Sequence, residues 1–596
     1  MKRSAKFYKA AMAVVPAALL FSVVFSAAKL SSQDAQPRIG FPVDWSSRHV
    51  IYAGVGSVDQ RVAAMRDPRF YFNWLRQVQA MNNARRVYSR GPGELPIPIN
   101  RRRKFRVDWA MPLGSGGLAV GESPAKYSFN LDTYSCANDF AVYTLAVTPS
   151  ATQANIIAFN NLYTGTSSSS CPNSPPQTPP TTNYTQPTVM WSYRAGTGAS
   201  WLSPALSLDG TKIAFVEDPE GAAPSFDVLT WVKGQGTSAT APVTPGSGGS
   251  ALTRLAYTTS GTGACKSSAS NSNSSPYIDY GSNTAYIGAD NGILYRISNV
   301  FSGTPAVEYC ITVKSGALLT SPVYDEVSNQ VFVSDGYSVY AYTPGASSFT
   351  AGGSMVVASS SSTNKDPIVL SPVVDTLDGF VYVFSATDST NKFSVAAQLN
   401  LALTSQATAD IGPEQTSQFI LDGDFDNDYY YYDVKSGLGT LYACGTQTAN
   451  AAAPALYSLT FTPGTGILSS TTAMSDNVNI NGSSNPNGTC SALLDFYDGT
   501  NDRLFVGTGN YGATTGANLV TEWSTNSRIT SSTATPQNTA SGYWGGTTAF
   551  TVDNVTPAPQ TTSIYFGTLQ PPPTGTTTPC GASQYCAVKL TQAGLQ

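Results

Sequence analysis

The chain has 596 residues, and only 12% of them are charged, with 33 Lys and Arg against 37 Asp and Glu. A single histidine, His49, argues against a Ser/His/Asp triad and against a metal centre with several histidine ligands. The charge is uneven: residues 29–110 carry 15 basic and 6 acidic side chains, a net of +9, whereas residues 111–596 carry 14 and 31, a net of −17. This asymmetry predicts that a basic arm associates with an acidic body.

Residues 1–28 are predicted to form a secretory signal peptide. Four basic residues precede the apolar run 10–28, which ends with small residues at Ser26-Ala27-Ala28, as at a cleavage site. The run is also just long enough to cross a bilayer, so an uncleaved anchor is the alternative. We therefore expect an exported protein that is extracellular, at the cell surface or in the periplasm, with no other contact to the membrane.

Residues 29–106 are predicted to form a short basic N-terminal arm with one helix near 67–89. A capping Asp-Pro pair opens this helix, and its apolar residues recur every three or four positions. The arm packs on its own body in one reading and on a neighbouring subunit in the other. The residues expected to form this assembly contact are Phe70, Trp74, Val78, Arg101, Arg102 and Arg103.

Residues 107–596 contain repeats that predict a single all-β propeller of eight, or alternatively seven, four-stranded blades. Clear units begin with Ser-Pro at positions 203, 275, 321 and 371, and weaker copies begin at 123, 417, 491 and near 547. Each unit continues with an Asp or Asn-Gly turn, a strand that is apolar on both faces, a glycine turn and an aromatic strand. Such strands suit blades that pack on a neighbour at each side. The strand 107–111 is expected to pair with 585–590 and close the ring.

The eight cysteines are read as disulfides, because exported proteins meet an oxidising environment. Pairing neighbours along the chain keeps each bridge within one blade or between adjacent blades, although eight cysteines allow about 105 connectivities. The pairs expected on this basis are Cys136–Cys171, Cys265–Cys310, Cys444–Cys490 and Cys580–Cys586.

The repeat of Ser-Pro, Asp-Gly turn, Val-Tyr and Gly-x-Leu-Tyr resembles the quinoprotein-like propellers with pyrroloquinoline-quinone (PQQ) type repeats. The segments FPVDWSSRHVIYAG and SPAKYSF are also similar to uncharacterised exported propellers of environmental bacteria. The first resemblance implies a quinone-dependent dehydrogenase. Those enzymes commonly carry adjacent cysteines or a CxxCH haem motif, and this sequence has neither, so we expect no PQQ cofactor.

One acidic loop, DGDFDNDYYYYD at 422–433, predicts a structural calcium site. Its carboxylates alternate along the loop and end at the twelfth position, which suits an ion that binds six to eight oxygens. The loop departs from the EF-hand pattern at positions six and twelve, and a solvated acidic turn is the alternative. The expected ligands are Asp422, Asp424, Asp426, Asp428 and Asp433.

No catalytic set of residues stands out, and the function expected from the sequence is therefore non-catalytic. We expect a secreted binding or assembly module that associates with itself through the basic arm, or that binds another surface protein or a glycan. The alternatives are a secreted carboxylate-dependent hydrolase or lyase that acts on polysaccharide, and a periplasmic scaffold for envelope assembly. The basic run 101–106 meets an acidic body, so nucleic acid is not an expected partner.

Overall fold

The chain forms eight β-sheets arranged in a ring, which confirms the expected all-β propeller and fixes the number of blades at eight. The structure, a computed structural model, describes residues 50–52, 106–128, 134–164, 171 and, with several gaps, 186–591. The predicted signal peptide, the predicted arm helix, residues 101–105 of the basic run and His49 lie outside the described residues. Among the described residues, no helix is long and apolar enough to cross a membrane.

Two strands precede the blades, β1 (Val50–Tyr52) and β2 (Arg106–Pro112). Blades 1 to 4 follow, each given from its innermost strand outward. They contain β3 (Ala125–Ser128), β4 (Phe140–Thr144), β5 (Ile156–Asn160) and β6 (Thr188–Tyr193); β7 (Ala205–Leu206), β8 (Lys212–Glu217), β9 (Ser225–Thr230) and β10 (Ala251–Leu255); β11 (Tyr277–Asp279), β12 (Thr284–Gly288), β13 (Ile293–Ser298) and β14 (Ala306–Thr312); and β15 (Val323–Asp325), β16 (Gln330–Ser334), β17 (Ser338–Pro344) and β18 (Phe349–Val356).

Blades 5 to 8 repeat this order. They contain β19 (Val373–Asp375), β20 (Phe380–Ser385), β21 (Phe393–Asn400) and β22 (Gln406–Pro413); β23 (Gly423–Phe425), β24 (Thr440–Gln447), β25 (Asn450–Thr460) and β26 (Asn477–Asn479); β27 (Thr489–Cys490), β28 (Leu494–Tyr497), β29 (Asp502–Gly509), β30 (Leu519–Ser524) and β31 (Asn538–Ser541); and β32 (Thr551–Asn554), β33 (Thr562–Gly567) and β34 (Cys586–Thr591). Two short α-helices, α1 (Tyr257–Ser260) and α2 (Asn427–Tyr431), and two 3₁₀ turns, Gly263–Cys265 and Val434–Ser436, lie between strands.

The two ends of the ring meet in blade 8, as the sequence predicted. Strand β2 pairs antiparallel with β34, with Trp109 opposite Lys589 and Met111 opposite Ala587. Blade 8 therefore takes three strands from the C-terminal part of the chain and its outermost strand from the N-terminal part. This pairing leaves no open end in the ring.

Strand β1 pairs with blade 1 on the side of the central channel. It runs parallel to the innermost strand β3, with Val50 opposite Lys126 and Tyr52 opposite Ser128. It also lies near β32, the innermost strand of blade 8. This strand was not predicted from the sequence, and it brings part of the predicted arm into the ring.

The blades pack face to face through their middle strands. Every residue of β12, β20 and β34 is buried, whereas the outermost strands β10 and β18 are largely exposed or half-buried. One apolar cluster extends from blade 2 to blade 5, and another joins blade 1 to blade 8. This burial on both faces is what the apolar middle strands of the repeat predicted.

Disulfides join the four cysteine pairs expected from the sequence. Two of them connect neighbouring blades. Cys265 lies in the 3₁₀ turn after blade 2 and is bonded to Cys310 in β14 of blade 3, while Cys444 of blade 6 is bonded to Cys490 of blade 7. The other two bridges tie down the loop after β5 and the loop before β34.

A charged network, fully buried, joins blade 8 to blade 1. Lys126 of β3 lies 2.9 Å from Asp553 of β32, and Lys589 of β34 lies 3.0 Å from Asp108 of β2; all four side chains are 0% exposed. The hydroxyl of Tyr163 lies between the two blades, 2.6 Å from Asp139 and 3.3 Å from Asp553. A buried ion pair adds little net stability, but removal of one member leaves the other charge unpaired in a medium of low polarity.

We predict that Lys126→Met lowers the free energy of unfolding by about 3–5 kcal/mol, because Asp553 loses its cation while it stays buried. Chemical denaturation followed by tryptophan fluorescence measures this loss. The matched control is Glu308→Gln, since Glu308 lies 2.7 Å from Arg296 and both side chains are partly exposed, at 32% and 15%. The control is expected to cost no more than about 1 kcal/mol. Equal losses in the two variants would contradict the role given to the buried network.

Candidate functional site

The serine that opens each of blades 1 to 3 holds the next blade. Its backbone N–H donates a hydrogen bond to the hydroxyl of the corresponding serine in the following blade. Three successive bonds of this kind link blades 1 to 4: Ser123 to Ser203 at 2.9 Å, Ser203 to Ser275 at 3.1 Å and Ser275 to Ser321 at 2.8 Å. We call this set the serine belt. The serine belt explains why the repeat has a serine at this position, because a buried N–H without an acceptor lowers the stability of the fold.

A cavity of about 430 Å³ lies against the serine belt at one end of the central channel. We call it the funnel. Its wall is formed by the equivalent short segments that precede the innermost strands of blades 1 to 6. The apolar residues among its lining include Val120, Leu202, Leu319, Ile368, Leu370 and Phe419. The size falls within the range of small-molecule and peptide side-chain pockets.

Glu122 is the single acid among the residues that line the funnel. It closes a tight turn in which Gly121 adopts a positive φ of 81° and the N–H of Ala119 donates to the Glu122 carboxyl at 3.0 Å. The Thr144 hydroxyl lies 2.7 Å from the same carboxyl and 2.8 Å from the carbonyl of Leu202. Burial raises the pKa of Glu122 to about 8, although the hydrogen bonds from Ala119 and Thr144 oppose the rise.

These distances agree with a neutral Glu122 at pH 7. The Thr144 hydroxyl has one proton and cannot donate it to both the Leu202 carbonyl and the Glu122 carboxylate. A protonated Glu122 resolves the conflict, because it donates to the Thr144 oxygen while Thr144 donates to Leu202. The funnel wall therefore carries no full charge at neutral pH.

Ser371, which opens blade 5, differs from Ser203, Ser275 and Ser321. The residue lines the funnel and is 4% exposed, yet its hydroxyl has no hydrogen-bond partner among the described residues. The hydroxyl groups of Ser203, Ser275 and Ser321 each accept the N–H of the preceding blade. The funnel thus combines an apolar wall with one buried hydroxyl whose bonding capacity is unused.

The acids of the predicted calcium loop point to separate partners. Asp422 accepts the N–H of Leu493 at 3.0 Å, and Asp424 accepts the N–H of Asp495 at 2.7 Å. Asp426 caps α2 and accepts the N–H of Tyr429 at 3.0 Å. The side chain of Asp428 is exposed, and Asp433 lies outside the described residues. Among the described residues, no three potential ligands are grouped as a metal site requires, and calcium stays a prediction.

Two of these acids belong instead to a buried group between blades 6 and 7. Asp424 and Asp426 lie near Asp495 and Asp502, and all four are at most 5% exposed. Burial raises the pKa of Asp426 to about 7 and that of Asp502 to about 6. Burial and the neighbouring Asp502 also raise the pKa of Asp495. Part of the formal negative charge of the body is therefore not surface charge.

Sequence reasoning missed the funnel, although a signal was present. The residues just before each Ser-Pro are apolar in several repeats, as in WLSP, LLTSP and IVLSP. Because equivalent positions of all blades face the same axis, a shared apolar pair there indicates an apolar lining. Glu122 breaks that pattern in blade 1. The predicted arm residues Phe70, Trp74, Val78 and Arg101–Arg103 lie outside the described residues, so their contact stays a prediction.

No protein-family model and no curated protein matches the sequence. Among solved structures, the chain is similar to Sqt1 of Saccharomyces cerevisiae, with 10% identity and a TM-score of 0.43 over 82% of this chain and 99% of that chain. A putative 6-phosphogluconolactonase of Bacteroides uniformis matches with 10% identity and a TM-score of 0.37 over 69% and 96%. Periplasmic gluconolactonase PpgL of Pseudomonas aeruginosa matches with 8% identity and a TM-score of 0.33 over 55% and 80%. These likenesses are too distant to bear on function.

We predict that Ser275→Ala destabilises the ring by about 1–3 kcal/mol, because the buried N–H of Ser203 loses its acceptor. The midpoint of urea unfolding measures the loss. Ser302→Ala is the control, since Ser302 is exposed and accepts only the side-chain amide of Asn283. The control should lie within about 0.5 kcal/mol of the wild type. A neutral Ser275→Ala would show that the serine belt does not hold the blades.

We predict that Glu122→Gln flattens the decline of stability between about pH 5 and pH 8. The pKa of Glu122 is about 8 in the folded chain and 4.5 when unperturbed, so the folded state holds a proton that the unfolded state has lost. The contribution of Glu122 to the free energy of unfolding is fully present below pH 4.5. It is lost as the pH rises to about 8, by at most about 1.4 kcal/mol per pH unit. Melting temperatures measure this.

The control for this pH series is Glu308→Gln, because Glu308 lies at the surface beside Arg296. Its melting temperatures should follow the wild-type pH dependence. Parallel wild-type and Glu122→Gln curves would exclude a neutral Glu122.

Proposed function

We propose that the protein is an exported, non-catalytic propeller that acts as an assembly module, in which the arm of one copy is bound in the ring of another. The observation that carries this proposal is the backbone pairing of β1 with β3 on the channel side of blade 1. An extended segment that adds itself to the edge of a sheet is a common mode of protein association. The four disulfides and the signal-like N-terminus support export.

The connection between β1 and β2 is long enough for β1 to be exchanged between copies. Residues 53–105 separate the two strands, a stretch of 53 residues, which spans up to about 175–190 Å when extended. The path from the channel to the outer edge of one blade is only about 15–20 Å, the width of four strands. The connection therefore places no constraint on which ring receives β1.

Exchange of this kind joins two different surfaces, the arm of one copy and the channel of the next. Such a head-to-tail contact produces closed rings or open filaments, according to the rotation between successive copies. The same channel edge could instead receive a strand of another surface protein, and the sequence also allowed a glycan partner. The self-partner is preferred because the matching strand is already part of this chain.

Charge supports this proposal less than the formal counts imply. The body carries a net of −17 by sequence, but burial raises the pKa of both Glu122 and Asp218 to about 8, so both are neutral at pH 7. Burial also raises the pKa values of Asp426 and Asp502. The proposal therefore rests on strand pairing, and attraction between the basic arm and the acidic body is secondary to it.

The alternative of a carboxylate-dependent hydrolase or lyase needs two acids that face one substrate. Within the described part of the chain, the funnel offers Glu122 alone, and the pair Asp495 and Asp502 is buried away from it. These positions favour binding over hydrolysis. A periplasmic scaffold for envelope assembly remains compatible with the arm, and cell fractionation separates it from an extracellular role.

We predict that a cysteine pair at Tyr52 and Ser128, which are opposite each other in the register, traps the exchange. The variant Tyr52→Cys/Ser128→Cys should give a ladder of disulfide-linked oligomers on a non-reducing gel, because each β1 is then bonded to the ring of another copy. Tyr52→Cys alone is the control and should give no ladder. A double variant whose new disulfide forms only within single chains would overturn assembly by exchange.

A further inference from the structure

We infer that the funnel is the binding site for the segment that precedes β1, residues 40–49, with Phe41 and Trp45 as its apolar anchors. The inference deepens the proposed assembly by naming the site that receives the arm. It does not require exchange, because the same segment reaches the funnel of its own ring or of a neighbour. Three features of the described residues support it.

The first feature is the direction of the chain. The funnel lies where the innermost strands begin, next to Glu122 and Ser123, and β3 runs away from it from Ala125 onward. Because β1 is parallel to β3 and Val50 lies opposite Lys126, the residues before Val50 lead back toward the funnel. At about 3.3 Å per residue, four residues cover roughly 13 Å, enough to reach the level of Glu122.

The second feature is the chemistry of the wall. No lysine or arginine is among the lining residues, and the single acid is neutral at pH 7 by the argument given above. Such a wall disfavours charged ligands, because they would lose hydration without gaining a partner. The segment before β1 reads Gly-Phe-Pro-Val-Asp-Trp from position 40. Phe41 and Trp45 bring large apolar area, and aromatic residues of this kind dominate well-packed pockets.

The third feature is the Ser371 hydroxyl. Among the described residues, this hydroxyl is buried in the funnel wall without a hydrogen-bond partner. A polypeptide in the funnel brings backbone N–H groups that donate to a hydroxyl oxygen and C=O groups that accept a hydroxyl proton. A purely hydrocarbon ligand would leave this hydroxyl unsatisfied. The combination of apolar walls and one free hydrogen-bonding group therefore favours an apolar peptide segment.

The closing experiment uses the full chain with Trp45 replaced by photo-reactive benzoylphenylalanine. After irradiation and proteolysis, mass spectrometry should find the cross-links on funnel residues such as Leu319, Ile368, Leu370 or Phe419. The same replacement at Val356, which is 56% exposed on the outermost strand of blade 4, is the control and should label no funnel residue. Cross-links from position 45 that fall outside the funnel would overturn the inference.

A second variant tests the funnel itself. Leu370→Arg places a charge in the apolar wall and should lower the yield of funnel cross-links about tenfold or more. Val356→Arg makes the same change on an exposed strand and should leave the yield unchanged. Circular dichroism checks that both variants are folded. An unchanged yield in folded Leu370→Arg, or a bound small molecule found in the funnel by native mass spectrometry, would count against the segment as occupant.

The size of the cross-linked product separates this inference from the assembly proposal. Funnel cross-links within single chains would support the inference and overturn exchange between copies. Funnel cross-links between two chains would support both. A disulfide ladder from the cysteine pair together with cross-links outside the funnel would leave assembly standing and remove the funnel as its site.

Discussion

A ring of eight sheets holds only if its first and last sheets join, and here the junction combines strand pairing with buried charge. Strand β2 supplies the outer edge of blade 8, while the pairs Lys126–Asp553 and Lys589–Asp108 lie wholly inside the contact between blades 8 and 1. None of the four disulfides crosses this junction. Buried charges tolerate no loose fit, because each needs its partner at hydrogen-bonding distance. The junction therefore fixes the position of the inner strands that surround the channel.

The same short segments connect the blades and form the funnel. Where a Ser-Pro unit begins, the serine is bonded to its neighbour and the residues just before it face the axis. Adjacent positions of one repeat therefore hold the blades together and line the funnel. Two residues stand out in this wall: Glu122 of blade 1 is its single acid, and the Ser371 hydroxyl of blade 5 has no hydrogen-bond partner among the described residues. Both line the funnel, the site that we propose for the segment before β1.

Much of the fold could be predicted from the sequence because its signals are local and repeated. The Ser-Pro units, the doubly apolar strands and the order of the cysteines each depend on short stretches of chain. The buried lysines could not be predicted, since Lys126 and Lys589 look like exposed residues of alternating strands, and their partners are set by ring closure. The neutral state of Glu122 could not be predicted either, because it depends on the contacts of Thr144 with Glu122 and Leu202. Strand β1 is only three residues long and has no pattern of its own.

The pairing of β2 with β34 has a mechanical consequence for an assembled protein. The arm leaves the ring at Arg106, opposite Thr591, while Pro112 at the far end of β2 lies opposite Cys586. Tension applied through the arm is therefore carried first by the outermost strand of blade 8. A pull away from the rim loads its backbone hydrogen bonds one after another, whereas a pull along the strand loads them together and meets far greater resistance. In the proposed assembly, the direction of pull on the arm thus decides whether the ring opens or holds.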